Sequence, residues 1–255
     1  MIGQSLLLES PNGPLRRVER EVPQPGRGQV LVRNLATAVN YHDILNVMGV
    51  LPNLAWPRVP FSDNCGEVVA AGADCGEWRP GDRVMAGFFP RWMAGPPTAE
   101  NCAVCYGDQV DGFLQTHTLV ESGSLVRAPA GLAAREAATL CCAGSTAWRS
   151  VVEEAQVSPG QTVVVQGTGG VSLFALQIAK LAGARVILLS SSDEKLAFGR
   201  QLGADHLINY RADPAWDEAV IEITGGGADL IVEIGGAGTL LRSINAVRVG
   251  GHVSV

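Results

Sequence analysis

"VVVQGTGGVSLFALQIAKLAGARVILLSSSDEKL", from Val163 to Leu196, places three glycines between an apolar run and a helix-forming segment, and follows the next apolar run with three serines. Gly167, Gly169 and the small Ser172 stand at the first, third and sixth positions of a strand-turn-helix fingerprint for a dinucleotide. The first glycine permits the tight turn, the second lets backbone approach a pyrophosphate, and the third small residue lets helix and strand pack closely. Thr168, Gly170 and Val171 complete the cradle, because amide groups at a helix start point at phosphate and the helix dipole favours the negative charge. An ordinary strand-to-helix turn is the alternative, but a helix and a second strand follow in the expected order.

The serines bear on which dinucleotide is bound. A site selective for NAD carries an acidic residue at the end of the second strand, where it accepts from the ribose hydroxyls and would repel a 2′-phosphate. Here that position holds Ser190, followed by Ser191 and Ser192, with Lys195 just beyond. Neutral donors and a cation suit NADPH. The competing reading is that the serines cap the next helix and Lys195 is solvated; Asp193 and Glu194 also argue against NADPH, although both fall in the first helical turn, where the dipole accounts for them.

Outward from this segment, apolar runs alternate with helix-like stretches. Val163–Gln166, Arg185–Leu189, His206–Asn209, Asp229–Ile234 and His252–Val255 read as buried parallel strands of a doubly wound sheet. Before it, residues 1–125 read as short strands such as "QVLVRNLATAV", "CGEVVAAGA", "GDRVMAGF" and "FLQTHTLVE", punctuated by glycine and proline, which suits a β-barrel. "AAREAATLCCAGSTAWRSVVEEA" is the helical junction, and the domains are placed at 1–125 and 126–255. The sheet ends at its fifth strand with Val255 still inside it, so the chain is expected to be incomplete, its C-terminal part missing.

Composition excludes several function classes. The 255 residues are 47% hydrophobic and 17% charged with a formal net charge of -6, enough apolar material for one large core or two smaller ones. The negative balance argues against nucleic acid or an anionic membrane as partner. The start lacks a signal peptide's basic and apolar regions, and no stretch is apolar over a bilayer's thickness, so a cytoplasmic location is expected. Six cysteines show no disulfide framework, and the lone CxxC of Cys102 and Cys105 has no second pair to complete a zinc site.

"NYHDILNVMG", "PFSDNCGEVVAAG" with "GDRV", "AGSTAW", "GTGGVS", "LGADHLINY" and "GGHVSV" together resemble the medium-chain dehydrogenase/reductase superfamily, in particular its zinc-free quinone oxidoreductase-like branch, across nearly the whole chain. The resemblance implies a GroES-like catalytic domain and a Rossmann domain. It also implies that Lys195 and Tyr210 surround a 2′-phosphate and that Thr146, Ile234 and Gly235 border the nicotinamide; for Tyr210 the alternative is a turn aromatic packed on the sheet. The family's dimers pair through a sixth strand that this chain lacks, as it lacks the returning segment of the catalytic domain; a homodimer is expected of a complete chain.

Departures from the zinc enzymes of that superfamily carry as much weight. Where those have a cysteine ligand and a histidine ligand this chain has Asn40 and Ser62; only Cys142 matches a ligand, and one thiolate does not hold zinc. Without zinc to stabilise an alkoxide, an acceptor with a delocalising π system is the feasible substrate. The expected activity is therefore an NADPH-dependent, zinc-independent oxidoreductase that passes hydride to a small apolar, electron-poor quinone or α,β-unsaturated carbonyl. Asn40, Tyr41, His42 and Asp43 are the candidate catalytic residues, with His42 at the position of the family's proton relay and solvent the alternative donor. Residues 87–112, with Phe88, Phe89 and Trp92, read as an ordered apolar loop able to overhang the substrate cleft. Two rival readings are an alcohol or aldehyde dehydrogenase of the same superfamily and a non-catalytic dinucleotide-binding protein.

Overall fold

The computed structural model describes residues 1–255, which fold as two compact units, Met1–Cys142 and Ala143–Val255. The first unit therefore extends past the boundary expected at 125/126. The division falls inside the helical junction, because the junction's first part packs on the first unit's sheet.

In chain order the first unit contains β1 (Ile2–Leu8), β2 (Leu15–Glu21), β3 (Gln29–Ala38), α1 (Tyr41–Met48), β4 (Asp63–Ala71), β5 (Arg83–Ala86), β6 (His117–Glu121), β7 (Leu125–Arg127) and α2 (Ala134–Ala137). Five strands pair antiparallel in the order β6-β3-β4-β5-β7. Alternation drives Val30, Val32, Val68, Val84 and Val120 onto one face, where they bury against Phe113, Tyr106 and Trp78. The other face receives Ala137 and Ala138 of the junction against Cys65 and Met85. β1 and β2 form a separate hairpin. Its second strand, LRRVERE, is almost wholly exposed, so it lacks the apolar alternation by which a strand is read from sequence.

The second unit contains α3 (Ser145–Trp148), β8 (Thr162–Gln166), α4 (Gly170–Leu181), β9 (Arg185–Ser190), α5 (Asp193–Gln201), β10 (His206–Asn209), α6 (Trp216–Thr224), β11 (Ala228–Val232), α7 (Leu240–Ala246) and β12 (Val247–Ser254). The strands are parallel in the order β10-β9-β8-β11-β12, a doubly wound sheet. Val163, Val165, Val186, Leu188 and Leu230 bury against Ala175, Leu176 and Ala179 of α4 on one face. Val164, Ile187, Leu189 and Ile231 bury against Trp216, Val220 and Ala246 on the other. Burial on both faces explains the near-continuous apolar runs of β8 and β9. Two strand limits differ from the sequence reading by more than one residue. β11 stops at Val232, because the Glu233 carboxylate turns back to bind the amides of Gly235 and Gly236, and β12 begins at Val247, where a register shift against β11 adds residues before His252.

Packing of the first unit is tight enough to test at Gly72. A Cβ there would lie 1.8 Å from the Gly26 carbonyl oxygen, and no rotamer relieves a clash with backbone. Gly72→Ala is expected to cost about 3 kcal/mol in urea unfolding, at the severe end for overpacking. Gly76→Ala, at φ +64° with open space around it, is expected to cost about 1 kcal/mol. Equal midpoints for the two variants would contradict this packing.

Candidate functional site

The carboxyl ends of β8 and β11 lie at the point where the strand order reverses, the place where an open α/β sheet leaves a crevice for a ligand. Gly167 follows β8 directly with φ 74°, and its amide donates to Leu189 O at 2.7 Å. A Cβ on Gly167 would stand 3.6 Å from Ile234 Cδ1, so Ile234, half exposed after β11, borders the same turn. Nothing lies within 4 Å of a Cβ built on Gly169, the residue preceding α4, which leaves room for a ligand's phosphates against Thr168, Gly170 and Val171. Ser172 is fully buried and donates to Gln166 O at 2.7 Å, which is the close helix-strand packing expected of the third small residue. These features fit a dinucleotide pyrophosphate.

Beneath the turn lies a polar network that the sequence reading missed. Gln166 Nε2 donates to Glu233 Oε2 at 2.8 Å and to Ser243 Oγ at 2.7 Å, and Ser243 Oγ donates to Glu233. Glu233 Oε1 accepts from Gly235 N at 2.7 Å, Gly236 N at 3.0 Å and Thr239 Oγ1 at 2.6 Å. Burial would raise this carboxyl's pKa, yet the bonds from Ser243, Thr239, Gln166 and Gly235 hold it below its ordinary value. A charged residue closing an apolar run was the available signal. Gly235, predicted beside the nicotinamide, is shaped by this network; its Cβ would meet Thr239 Oγ1 at 2.2 Å.

At the next strand ends, Ser190 is buried at the close of β9, and Tyr210 N donates to Ser190 O at 3.1 Å, which sets the half-exposed Tyr210 beside it. Ser191 is partly exposed, and Lys195 is exposed in the first turn of α5. Ser192 caps that helix by accepting from Lys195 N, and Asp193 accepts from Asn209 Nδ2 at 2.8 Å. Asp193 is thus engaged by a neighbouring strand, while Tyr210 is bonded to Ser190 through the backbone and Lys195 stands in the first turn of the helix that follows. Thr146 is exposed on α3.

In the first unit, Asn40 precedes α1, and Asp43 is buried in its first turn, accepting from Asn40 N at 2.7 Å and from Ser62 N at 3.1 Å. Asp43, expected among the catalytic residues, spends both oxygens pinning α1 to the entry of β4. Asn40 Nδ2 donates to Asp63 Oδ2 at 2.9 Å. Tyr41 is 74% exposed and points its ring away from this packing. His42 lies under the loop aromatics: Phe88 meets its ring edge-on at 5.0 Å, and Phe89 and Trp92 continue the row. Its Nε2 is 3.0 and 2.9 Å from the two oxygens of Asp108, a buried carboxylate the sequence reading missed.

The superfamily comparison is direct. Residues 26–130 match the family described as alcohol dehydrogenase GroES-like domain, and residues 170–255 match that described as zinc-binding dehydrogenase. A zinc-type alcohol dehydrogenase-like protein of Schizosaccharomyces pombe is 42% identical over 246 residues, covering 94% of this chain and 71% of its own. The chain belongs to the medium-chain dehydrogenase/reductase superfamily. A crystal structure from Sinorhizobium meliloti, assigned to the alcohol dehydrogenases, superposes with TM-score 0.92 at 44% identity over 99% of this chain and 75% of that one. The structure of an NAD-dependent alcohol dehydrogenase does so with TM-score 0.87 at 33% identity over 98% and 76%. As a member of this superfamily the protein is an oxidoreductase that uses a nicotinamide dinucleotide.

Zinc, which the family name implies, does not fit the donors at the matching positions. Asn40 is an amide that donates to Asp63, Ser62 is a hydroxyl beside Asp43, and the Cys142 thiol is pushed up to about 12 by burial and then by Asp63 and Asp43. A zinc site needs deprotonated sulfur or bare imidazole nitrogen, chiefly. A second group, His42, Cys105 and Asp108, brings its donor atoms within 4.8 Å of one another. Donors around one zinc ion stand roughly 3.5 Å apart. Here the nitrogen and oxygens already bond to each other, and Cys105 Sγ donates to Tyr106 O at 3.4 Å, so hydrogen bonds account for the group without an ion. Cys105 is nonetheless buried within it, where the sequence suggested only a surface loop.

Asp63 provides a test of this site. Burial pushes its carboxyl up to about 7, the Asn40 bond opposes that, and the Asp43 charge adds to it. Because the folded value lies above the unfolded one of about 4, the stability that depends on a neutral Asp63 is fully present below pH 4 and is lost as pH rises through 7. Asp63→Asn, neutral throughout, is expected to remove up to about 4 kcal/mol of that pH-dependent loss, seen as a flatter urea midpoint between pH 4 and 8. Parallel profiles for the two proteins would show that Asp63 titrates normally.

Proposed function

We propose that the protein is an NADPH-dependent, zinc-independent oxidoreductase that reduces a small apolar, electron-poor acceptor, a quinone or an α,β-unsaturated carbonyl. The observation that carries this reading is the donor set of Asn40, Ser62 and Cys142, which offers an amide, a hydroxyl and a protonated thiol where a Lewis acid would have to be held. Such groups give an alkoxide little help, whereas a conjugated acceptor spreads the developing charge over its own π system. Bound NADPH supplies the hydride; the chain's task is to bind, orient and exclude water.

Selectivity for the 2′-phosphate is supported by Ser190, not a carboxylate, at the end of β9, by Tyr210 bonded to it, by Lys195 in the next helical turn, and by the engagement of Asp193 with Asn209. Asn40 and Asp43 set the start of α1, and His42 and the Phe88–Phe89–Trp92 row present an apolar wall with one polar edge. No helix is long and apolar enough to cross a membrane. A cytoplasmic site of action and a homodimeric assembly belong to the same proposal, as does the absence of nucleic acid among its partners.

The test is the loss of NADPH absorbance with a quinone, an enone and a simple aldehyde, each with and without chelator. Chelator-resistant turnover of quinone or enone is expected, with NADH much poorer. Lys195→Ala is expected to raise KM for NADPH about tenfold, equivalent to about 1.4 kcal/mol, and to leave KM for NADH unchanged. Chelator-sensitive turnover of the aldehyde would point instead to an alcohol or aldehyde dehydrogenase. Cofactor binding with no turnover at all would point to a non-catalytic dinucleotide-binding protein.

A further inference from the structure

His42 and Asp108 are 66 residues apart, and nothing in the spacing of the chain links them. In the fold the imidazole Nε2 sits between both carboxylate oxygens of Asp108, which is 6% exposed, while the ring's Nδ1 has no hydrogen-bond partner in the protein. Asp108 is itself immobilised. Asn46, one helical turn beyond His42 and wholly buried, donates its Nδ2 to Asp108 Oδ1 and to Gly107 O at 2.6 Å. Arg58, 2% exposed and stacked 4.1 Å from the Trp56 ring, donates Nη1 to Asp108 O at 2.6 Å and to Gly107 O at 3.3 Å. α1 thus supplies the imidazole and the amide on one face, and the loop before β6 supplies the carboxylate.

We propose that Asp108 is a positioning residue that fixes the His42 ring with Nε2 as the bonded nitrogen and leaves Nδ1 to deliver a proton to the reduced acceptor. The inference rests on the reductase reading above. Hydride addition leaves the acceptor as an enolate or quinol anion with two added electrons; the Nδ1–H bond breaks, an O–H or C–H bond forms on the acceptor, and water later returns the proton to Nδ1. The neutral ring then carries its hydrogen on Nε2, the tautomer the Asp108 carboxylate holds. Burial alone would disfavour the charged ring, but the bond and charge of Asp108, with the charge of Asp43, outweigh it, so the imidazolium persists to higher pH than usual. The groups around the ring are Asp43 on its own helix, Asp108 and Cys105 from the loop with Arg58 behind them, and the uncharged edge of Phe88.

Two measurements test this, both in the presence of chelator so that no metal enters the His42, Cys105 and Asp108 group. In kcat/KM against pH with an enone, Asp108→Asn is expected to move the basic limb down by about one unit or more and to lower kcat about tenfold at pH 8, with KM for NADPH unchanged. His42→Gln is expected to abolish that limb. Unaltered profiles in both variants would overturn the proposal. Nitrogen NMR of the wild-type imidazoles needs no variant to fold: the His42 resonance is expected to titrate above the ordinary histidine value and to show the Nε2–H tautomer when neutral. An Nδ1–H tautomer would overturn the proposal equally. If the wild type turns over no acceptor, the reductase reading fails, while the tautomer still decides whether Asp108 orients the ring.

Discussion

A buried carboxylate at the reversal of the parallel sheet governs the shape of the second unit. Glu233 ends β11, and its oxygens accept from two turn amides, a threonine and a serine hydroxyl, and the side-chain amide of Gln166 at the end of β8. A charge taken out of water at this depth is tolerable only with such complete pairing. The same bonds tie the ends of two neighbouring strands together, so the glycine turn after β8 and the Ile234–Gly235 corner after β11 keep a fixed separation. The glycine turn and the Ile234–Gly235 corner are, in this sense, two outputs of one network.

The first unit solves a comparable problem with different parts. Asp43 joins α1 to the entry of β4, and Asn40 joins that helix start to Asp63. Of the positions that hold zinc in other members of the superfamily, Asn40 bonds to Asp63 through its side chain and Ser62 bonds to Asp43 through its backbone amide, and both bonds keep α1 in place. These bonds give α1 a rigid seat from which His42 reaches Asp108.

Much of this was legible before any coordinates. The alternation of apolar runs with helical segments and "GTGGVS" are local signals, and they led to the doubly wound sheet and its turn. What escaped was nonlocal or unpatterned. β2 is a strand because β1 pairs with it, not because "LRRVERE" has a buried face. Asp108 looks like any loop aspartate until the fold brings α1 to it. Glu233 was half visible, as a charge that an apolar run has no reason to contain, but its partners Thr239 and Ser243 lie in a turn and a helix with no recognisable motif. Asp43 could be read from its place beside His42 either as chemistry or as a loop anchor, and its carboxylate accepts from two backbone amides.

β10 is four residues long and lies at the edge of its sheet, bonded to β9 alone. Tyr210 hangs from its end and depends on that pairing for its place beside Ser190. Strands β8 and β9, which end at the glycine turn and at Ser190, are each held from both sides, whereas Tyr210 follows a border strand held from one. If Tyr210 reads the ribose as proposed, recognition of the common part of a dinucleotide is mechanically separate from this residue's share in recognising the variable part. Sequence change at the border can retune the second without disturbing the first, and one sheet can serve relatives that differ in the cofactor they accept.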